Sequence, residues 1–266
     1  MNKARLEQAS IAKPAPAGAD GGAGEDALTH DPILRGRLTL WQPRVGYRFS
    51  IDPLLLADFV GAGPLGRVVD IGAGVGVVGL LLARNDPQAQ VTLVELQPRL
   101  ADLCRRNADG NSLGGRCTVV EGDVRSADLK QRLPGAWFDL VASCPPYYAL
   151  GRGEVNPDSE EAIARHEIHL PLGDLVQAAR RLVGFRGRVA FIYPSPRLPQ
   201  LLASMVTEGL TPTRLRLVHA HAGEPGQRAI VEGRKGARSG LVVEPPLILR
   251  TNAGTYTDEA LRILGD

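Results

Sequence analysis

Short apolar runs alternate with longer segments of helical periodicity along the chain from residue 64 onward. The runs that predict strands are Arg67–Ile71, Val91–Leu96, Cys117–Glu121, Phe138–Ala142, Arg188–Tyr193, Arg214–His219, Ala229–Glu232 and Leu241–Val243. The segments that predict helices are Val75–Arg84, Pro98–Asn111, Leu172–Val183 and Leu198–Glu208. This alternation predicts an α/β fold, a mostly parallel sheet with helices on both faces. Ligands of such sheets bind at the carboxyl ends of the strands, and we expect every motif below to lie at that edge.

The chain before this alternation has a different composition. Residues 1–30 are rich in Ala, Gly, Pro and Asp without periodicity, which predicts a disordered tail. Residues 31–266 are expected to form one domain, with an N-terminal segment over 38–60 and a core over 64–262.

A glycine-rich turn follows the first of these strands, in "VVDIGAGVGVVGLLLA". Gly72, Gly74 and Gly76 give the spacing G-x-G-x-G, and glycines allow a tight turn and close approach of a ligand to the backbone. The dinucleotide fingerprint would need its third glycine at Val77. With Asp70 ahead of it, the turn resembles motif I of class I S-adenosylmethionine (SAM) methyltransferases. The sulfonium and α-amino groups of SAM are cationic, so a nearby carboxylate suits them. The alternative to a SAM site is a structural turn that binds no ligand.

Two further acids lie at the next two predicted strand ends: Glu95 at the end of the second strand and Asp123 after the third. Glu95 can accept both ribose hydroxyls of a nucleoside, and Asp123 can accept a hydrogen bond from the adenine amino group of SAM. Their neighbours Leu96 and Val124 join them in the predicted cofactor-binding set. Each acid alone would be a surface residue or a helix cap, but acids at three successive strand ends, with the glycines, indicate a SAM site.

The fourth of the strands ends in "SCPPYY". The segment "CPPY" matches three of the four positions of the Asn/Asp/Ser-Pro-Pro-Tyr consensus of enzymes that methylate amide or exocyclic amine nitrogens. Such a nitrogen is a poor nucleophile, and two acceptors, the first side chain and the first proline carbonyl, favour its tetrahedral form. Prolines hold that carbonyl in one direction, and a tyrosine ring offers a flipped base a stacking surface. The residues assigned to catalysis are Cys144, which also lines the cofactor site, Pro145, Pro146 and Tyr147, with Tyr148 assigned to substrate binding.

Cys144 departs from that consensus, because a thiol is a weak acceptor and a weak donor. Three interpretations stay open. The Pro145 carbonyl alone supports the reaction at a reduced rate, the substrate differs, or the chain binds SAM or RNA without catalysis. We favour retained activity because the rest of the site is intact. A rigid turn that simply ends the strand is the structural alternative.

Basic residues concentrate in one part of the chain. Between Arg180 and Gly240 there are eleven Arg or Lys against three acids, so this part carries +8 and the remainder −6. Three of the cations, Arg234, Lys235 and Arg238, lie among glycines in "GRKGARSG", which suits a phosphate backbone. A polyanion partner is predicted; a solvated face or exposed hairpin is the alternative.

Cysteine usage and the lack of long apolar runs bear on the cellular compartment of the protein. The three cysteines are scattered without zinc-type spacing, which argues against a disulfide framework. No apolar run is long enough to predict a membrane span, and no apolar signal core is predicted. We expect a cytoplasmic protein without a metal site, as a monomer or homodimer.

Four segments beyond the glycine turn, the acids and the "CPPY" motif point to a more specific family: "LWQPRVGYRFSIDPLLLADF" (40–59), "ARHEIHLPLGDLV" (164–176), "AIVEGRKGARSGLVVEPPLIL" (229–249) and "YTDEA" (256–260). Together they resemble bacterial tRNA adenine-N6 methyltransferases, a family that modifies the adenine beside the anticodon of a valine tRNA. The resemblance implies a seven-stranded, Rossmann-like class I fold, SAM as methyl donor and N6-methyladenine in tRNA as product. It suggests ligand-binding roles for Asp70, Gly72, Glu95 and Asp123 toward SAM and for residues 144–147 toward the base.

Within the N-terminal segment, Tyr47, Arg48 and Asp52 are predicted to form a lid that binds substrate over SAM. The alternative is structural: Tyr47 and Phe49 alternate as in a half-buried strand, and Asp52 caps a helix that has Pro53 at its first position. Two other functions stay open, methylation of an rRNA base or a release-factor glutamine, and RNA binding without catalysis. The glutamine enzymes usually have a helical N-terminal domain, for which residues 1–37 are too few.

Overall fold

The computed structural model describes residues 28–45, 48–61, 63–145, 170–238 and 240–265. The strands are β1 (Leu28–Ile33), β2 (Leu38–Pro43), β3 (Arg67–Ile71), β4 (Gln90–Glu95), β5 (Cys117–Glu121), β6 (Phe138–Ser143), β7 (Val183–Pro194), β8 (Leu210–His221), β9 (Arg228–Lys235), β10 (Val242–Val243) and β11 (Leu247–Arg250). The helices are α1 (Asp52–Val60), α2 (Val77–Asn85), α3 (Pro98–Gly110), α4 (Ala127–Arg132), α5 (Leu172–Leu182), α6 (Leu198–Thr207) and α7 (Asp258–Leu264). The predicted alternation of strands and helices is confirmed.

Strands β1 and β2 form an antiparallel hairpin, and β3 to β11 form one sheet. Its order is β10-β8-β9-β7-β6-β3-β4-β5, with β11 also beside β8. Strand β9 is antiparallel to β7 and β8, and the other neighbours are parallel. The implied count of seven strands is wrong, because β10 and β11 pair with successive parts of the long outer strand β8 and cover its open edge.

Successive residues of the central strands point into two separate apolar cores. Val68 of β3 and Leu140 of β6 belong to the core under α1, α2 and α3. Val69 and Val141, the next residues along, belong to the core under α5 and α6. Both faces of these strands are therefore buried, which explains why their sequences are apolar throughout.

Several element boundaries differ from the prediction. Strand β1 begins at Leu28, so residues 28–30 of the predicted tail belong to the hairpin, while residues 1–27 lie outside the described residues. Strands β7 and β8 each have 12 residues and extend beyond the apolar runs that predicted them. Apart from the buried Val183 and Leu210 at their first positions, the added residues are exposed or half-exposed and form no continuous apolar run, so hydrophobic pattern alone does not reveal them.

Asn107 of α3 and Asn111, the C-cap residue of that helix, hold the hairpin on the domain. Asn107 Oδ1 accepts from the Trp41 N–H at 2.6 Å, and its Nδ2 donates to Trp41 O at 3.0 Å and to Val75 O at 2.9 Å. Asn111 pairs in the same way with the backbone of Thr39, at 3.0 and 2.7 Å. The two amides therefore take the place of a neighbouring strand for β2, and Asn107 also ties the hairpin to the glycine turn.

Replacement of Asn107 by Ala should lower the free energy of unfolding by about 2–4 kcal/mol, because it leaves several shielded backbone groups without partners. The control is Asn252→Ala, at an exposed turn, which should change that free energy by less than about 0.5 kcal/mol. Urea unfolding followed by circular dichroism measures both variants. Equal midpoints for the two variants would contradict this role of Asn107.

Candidate active site

The glycine turn between β3 and α2 is fixed to the end of β4. The Gly72 N–H donates to Val94 O at 2.9 Å, and the Gly74 N–H donates to the Glu95 carboxylate at 2.7 Å. Gly72, Gly74 and Gly76 have φ angles of 73°, 58° and 95°, a region that side chains disfavour. The G-x-G-x-G spacing is therefore required by the path of this backbone.

The Glu95 carboxylate is buried at the carboxyl edge of the sheet, with 5% of the residue exposed. Its Oε2 accepts from the Gly74 N–H, and its Oε1 accepts from the Gln97 N–H at 2.8 Å. Burial raises the pKa of Glu95, while these N–H donors act in the opposite direction. A carboxylate has about four acceptor positions, so about two remain for other donors such as ribose hydroxyls.

Asp70 lies buried directly below the turn. Its Oδ2 accepts from the Gly79 N–H of α2 at 3.0 Å, while its Oδ1 has no hydrogen-bond partner in the described part of the chain. Burial raises the pKa of Asp70 to about 7; the Gly79 N–H lowers it, and the charge of Glu95 raises it further. A buried oxygen without a partner is costly, so this position favours an added donor or cation.

These features fit SAM. Apart from its chain neighbours, a Cβ on Gly72 would have no atom of the described residues within 4 Å, so the backbone there borders open space among them. A Cβ on Gly76 would lie 2.8 Å from the Cys104 sulfur, so glycine is needed there to let α3 pack against the turn. The open backbone at Gly72, the unpaired oxygen of Asp70 and the remaining positions on Glu95 suit a ligand with ammonium and hydroxyl donors.

Asp123 is held by an arginine that follows it closely. Its carboxylate accepts from the Arg125 backbone N–H at 2.8 Å and from the guanidinium at 2.6 Å, and Arg125 also reaches Asp174 on α5 at 3.2 Å. The carboxylate predicted to bind adenine is therefore oriented by α5 through Arg125. Of the two predicted neighbours, Leu96 is 36% exposed, whereas Val124 is buried in the core under α5 and α6.

The end of β6 is bonded to the end of β3. Ser143 is fully buried and its Oγ donates to Ile71 O at 2.6 Å, so this hydroxyl holds the sheet and does not replace the consensus side chain. Cys144 is half-buried against the core under α1, α2 and α3, and Pro145 is buried. The remaining residues predicted for this motif lie outside the described residues: Pro146, Tyr147 and Tyr148.

Of the three predicted lid residues, Arg48 and Asp52 contact other parts of the domain, while Tyr47 lies outside the described residues. Arg48 pairs with Asp31 of β1 at 2.9 Å and donates to Thr29 Oγ1 at 2.9 Å. Arg48 therefore fastens the segment after β2 to the hairpin.

Asp52 does not cap α1, as one interpretation of the sequence expected. It is the first residue of the helix, and the N-cap residue Ile51 provides no side-chain hydrogen bond. The buried Asp52 carboxylate instead accepts from Arg228 Nε at 2.8 Å. Arg228 is paired with Pro194 at the end of β7, so this ion pair lies at the carboxyl edge.

The basic segment 233–240 begins at the opposite edge, where the parallel strands start. Strand β9 is antiparallel, so Arg228 lies beside Pro194 at the end of β7, whereas Arg234 lies beside Arg188, where the continuous pairing of β7 with β6 begins. The expectation that every motif lies at the carboxyl edge is therefore wrong for this segment. The direction of β9 is the reason, and a short apolar run does not reveal it.

The three predicted cations of this segment have different surroundings. Lys235 Nζ donates to Arg180 O at 3.2 Å and to Val183 O at 2.8 Å, which satisfies carbonyls at the end of α5, and burial lowers its pKa. Arg234 is exposed and lies 3.7 Å from the Glu232 carboxylate, while Arg238 is also exposed.

Three residues that shape the site were not predicted from the sequence. A Cβ on Gly79 would overlap Leu93, so this glycine allows α2 to pack closely on β4. Arg125 could have been found, because it stands two residues after an acid that it can pair with. Arg228 had no local signal, since its partner Asp52 is 176 residues away.

Three further findings concern the described residues only. No helix among them is long and apolar enough to cross a membrane. No three His, Cys, Asp or Glu side chains among them lie close enough together to hold a metal ion. The three cysteines form no disulfide.

Comparison with known proteins defines the class. A family model described as the methyltransferase small domain matches residues 52–167. A predicted O-methyltransferase, protein Atu636 from Agrobacterium tumefaciens, has a TM-score of 0.65 at 24% identity, over 80% of this chain and 94% of its own. P. horikoshii TYW2 in complex with MeSAdo has a TM-score of 0.56 at 15% identity, over 80% of this chain and 72% of its own. The fold is that of a class I SAM-dependent methyltransferase.

Curated relatives define the family. The chain is 31% identical to the tRNA1(Val) (adenine(37)-N6)-methyltransferase of Porphyromonas gingivalis, over 85% of this chain and 91% of that protein. It is 28% identical to the Aeromonas hydrophila protein of the same name, over 83% and 89%. The chain belongs to the tRNA1(Val) (adenine(37)-N6)-methyltransferase family.

Replacement of Gly72 by Ala should weaken SAM binding by about tenfold or more, because the added methyl projects into the open space beside the turn. Gly36→Ala is a matched control, since Gly36 has a φ of 79° and equally open surroundings. Both variants should lose about 1–2 kcal/mol of stability from the backbone alone. Calorimetric titration with SAM separates them, and equal affinities would contradict the placement of the ligand at Gly72.

The raised pKa of Asp70 makes stability depend on pH. The folded pKa of about 7 lies above the unfolded value, so the contribution of Asp70 is fully present below about pH 4 and is lost as the pH rises through about 7. Asp70→Asn removes this loss while keeping an acceptor for Gly79. In urea unfolding without SAM, the free energy of unfolding of the variant should therefore exceed that of the parent chain by more at about pH 8 than at about pH 5. Parallel behaviour of the two chains would refute the assignment.

Proposed function

We propose that this chain transfers a methyl group from SAM to the exocyclic N6 of an adenine in tRNA, beside the anticodon of a valine tRNA. One observation carries most of the proposal. The Ser143–Ile71 bond joins the end of β6, where Cys144 and Pro145 follow, to the strand that leads into the glycine turn at Gly72. A methyl donor on the turn and a base at Pro145 would therefore be neighbours.

The glycine turn and the three acids Asp70, Glu95 and Asp123 bind the cofactor. Asp70 offers its unpaired oxygen to the amino group, Glu95 accepts from the ribose, and Asp123, oriented by Arg125, accepts from the adenine. Bound SAM supplies an electrophilic methyl group. Because Glu95 also holds Gly74, the residue that binds the ribose fixes the turn at the same time.

The target base is held by the end of β6 and the residues after it. The Pro145 carbonyl accepts from the N6 amino group and favours a tetrahedral nitrogen, while Tyr147 stacks on the flipped base. Cys144 contributes shape and only a weak polar contact. No strong base is required, since the nitrogen becomes acidic once methylated and loses its proton readily.

The relatives reported above are named as tRNA enzymes, which favours tRNA over the rRNA and glutamine substrates. Those names also weigh against binding without catalysis. The exposed cations Arg234 and Arg238 support contact with a polyanion, although they are distant from the carboxyl edge.

The parent chain, incubated with labelled SAM and unmodified valine tRNA, should produce N6-methyladenine. Cys144→Asn restores the consensus acceptor and should raise kcat, by as much as about 10²-fold, because preorganised polar groups contribute up to that factor in other enzymes. Cys144→Ala is the control for removal of the thiol and should retain methylation, since the Pro145 carbonyl remains.

Product mapping decides between the interpretations of Cys144. Product from the Asn variant alone would mean that the cysteine switches this reaction off. If neither the parent chain nor the Asn variant yields product while both bind SAM, the tRNA assignment is wrong. In that case rRNA and protein substrates are tested next.

A further inference from the structure

Strand β7 has a large bulge at the amino edge of the sheet. Val183 pairs with Phe138 and Arg188 pairs with Leu140, so residues 184–187, "GFRG", stand opposite a single residue of β6. Bulges of this kind occur next to functional sites, where they redirect side chains. Here the bulge carries its two central side chains out of the sheet.

Those two side chains are exposed in an unusual way. Phe185 is 75% exposed, and Arg186 has a φ of 63°, a conformation that residues with side chains rarely adopt. The Arg186 guanidinium lies over the Phe185 ring at 5.6 Å. A Cβ on Gly236 would lie 2.8 Å from that ring, so the bulge packs against the turn that follows β9.

Cations exceed acids beside the bulge. The buried carboxylate of Glu232 lies within 3.3 Å of Arg188, 3.5 Å of Arg214 and 3.7 Å of Arg234. Arg214 also pairs with Glu244 at 2.8 Å, so two carboxylates serve three guanidinium groups. Arg186 adds a fourth and has no ion pair within the described residues.

A second aromatic ring lies nearby on the same edge. Trp137 is 50% exposed just before β6, and the Arg67 guanidinium stacks on it at 4.1 Å while pairing with Asp139. A shallow cleft of about 420 Å³ runs between Leu65, Asp139, the bulge and Arg234. We call it the amino-edge cleft.

We propose that the amino-edge cleft is a second tRNA-binding surface, separate from the methylation site, that holds the sugar–phosphate backbone and stacks an unpaired nucleotide on Phe185. The inference rests on the proposed function, because it takes tRNA as the substrate. Surplus arginines suit phosphates through their planar, multiply donating guanidinium groups. Exposed aromatic rings flanked by arginines suit unstacked bases.

The cleft is also well placed for a substrate larger than the base that reacts. The strands between the two edges have about five or six residues, which corresponds to roughly 17–20 Å. A folded tRNA spans that distance, so one RNA molecule can contact both edges.

The test measures the Kd for unmodified valine tRNA over a series of salt concentrations. Arg186→Gln should raise this Kd by about five- to tenfold near 0.1 M salt and reduce the slope of log Kd against log salt by about 0.7–0.9, as expected for one lost phosphate contact. Phe185→Ala should raise the Kd by about fivefold or more without changing the slope, since stacking releases no counterion.

Arg262→Gln is the matched control, because Arg262 is exposed, pairs with Asp58 on another part of the surface and undergoes the same chemical change. It should leave the Kd unchanged. Melting temperatures without RNA report whether each variant is folded. Unchanged affinity in Arg186→Gln and Phe185→Ala, or an equal shift in Arg262→Gln, would overturn the proposal and direct attention to an acidic protein partner.

The same preparations separate this inference from the proposed function. If the parent chain methylates tRNA but the cleft variants bind it normally, only the cleft assignment fails. If the parent chain binds tRNA through the cleft without methylating it, only the proposed function fails. A parent chain that neither binds nor methylates tRNA refutes both.

Discussion

The hydrogen bond from the Gly74 N–H to the buried Glu95 carboxylate is the constraint on which the cofactor end of the sheet depends. It joins the turn after β3 to the end of β4, so the glycines and the Glu95 carboxylate cannot move independently. Asp70 lies below the same turn with one oxygen unpaired. Two acids are thus kept in a region of low dielectric, where each raises the cost of ionising the other and a cation becomes favourable.

The two edges of the sheet have different chemical character. The carboxyl edge combines glycines, buried acids and the end of β6, which suits a small cationic cofactor and a base. The amino edge combines exposed arginines with two exposed rings, Phe185 and Trp137, which suits a polyanion with unpaired bases. The antiparallel strand β9 connects the edges, with Arg228 beside the first and Arg234 beside the second. The antiparallel direction of β9 therefore places basic side chains at both edges of the sheet.

Much of the fold was predictable, because strands buried on both faces are apolar throughout and stand out between helices. The close approach of Asp70 and Glu95 was also predictable, since neighbouring parallel strands end at one edge. The direction of β9, the pairing of β10 and β11 with β8 and the Asp52–Arg228 ion pair were not. Each depends on contacts between distant segments that leave no local pattern. The bulge at Phe185 escaped for a related reason: its glycines resemble an ordinary turn.

The Cys104 thiol directly beneath Gly76 can report on local motion of the glycine turn. It is fully buried, and burial together with the nearby Asp70 and Glu95 charges raises its pKa well above the usual range. An alkylating reagent can therefore reach it only during moments when α3 and the turn separate. Its labelling rate therefore measures how often the candidate cofactor site opens locally. The labelling rate of the buried Cys117, on β5, measures local opening at a second place in the same molecule.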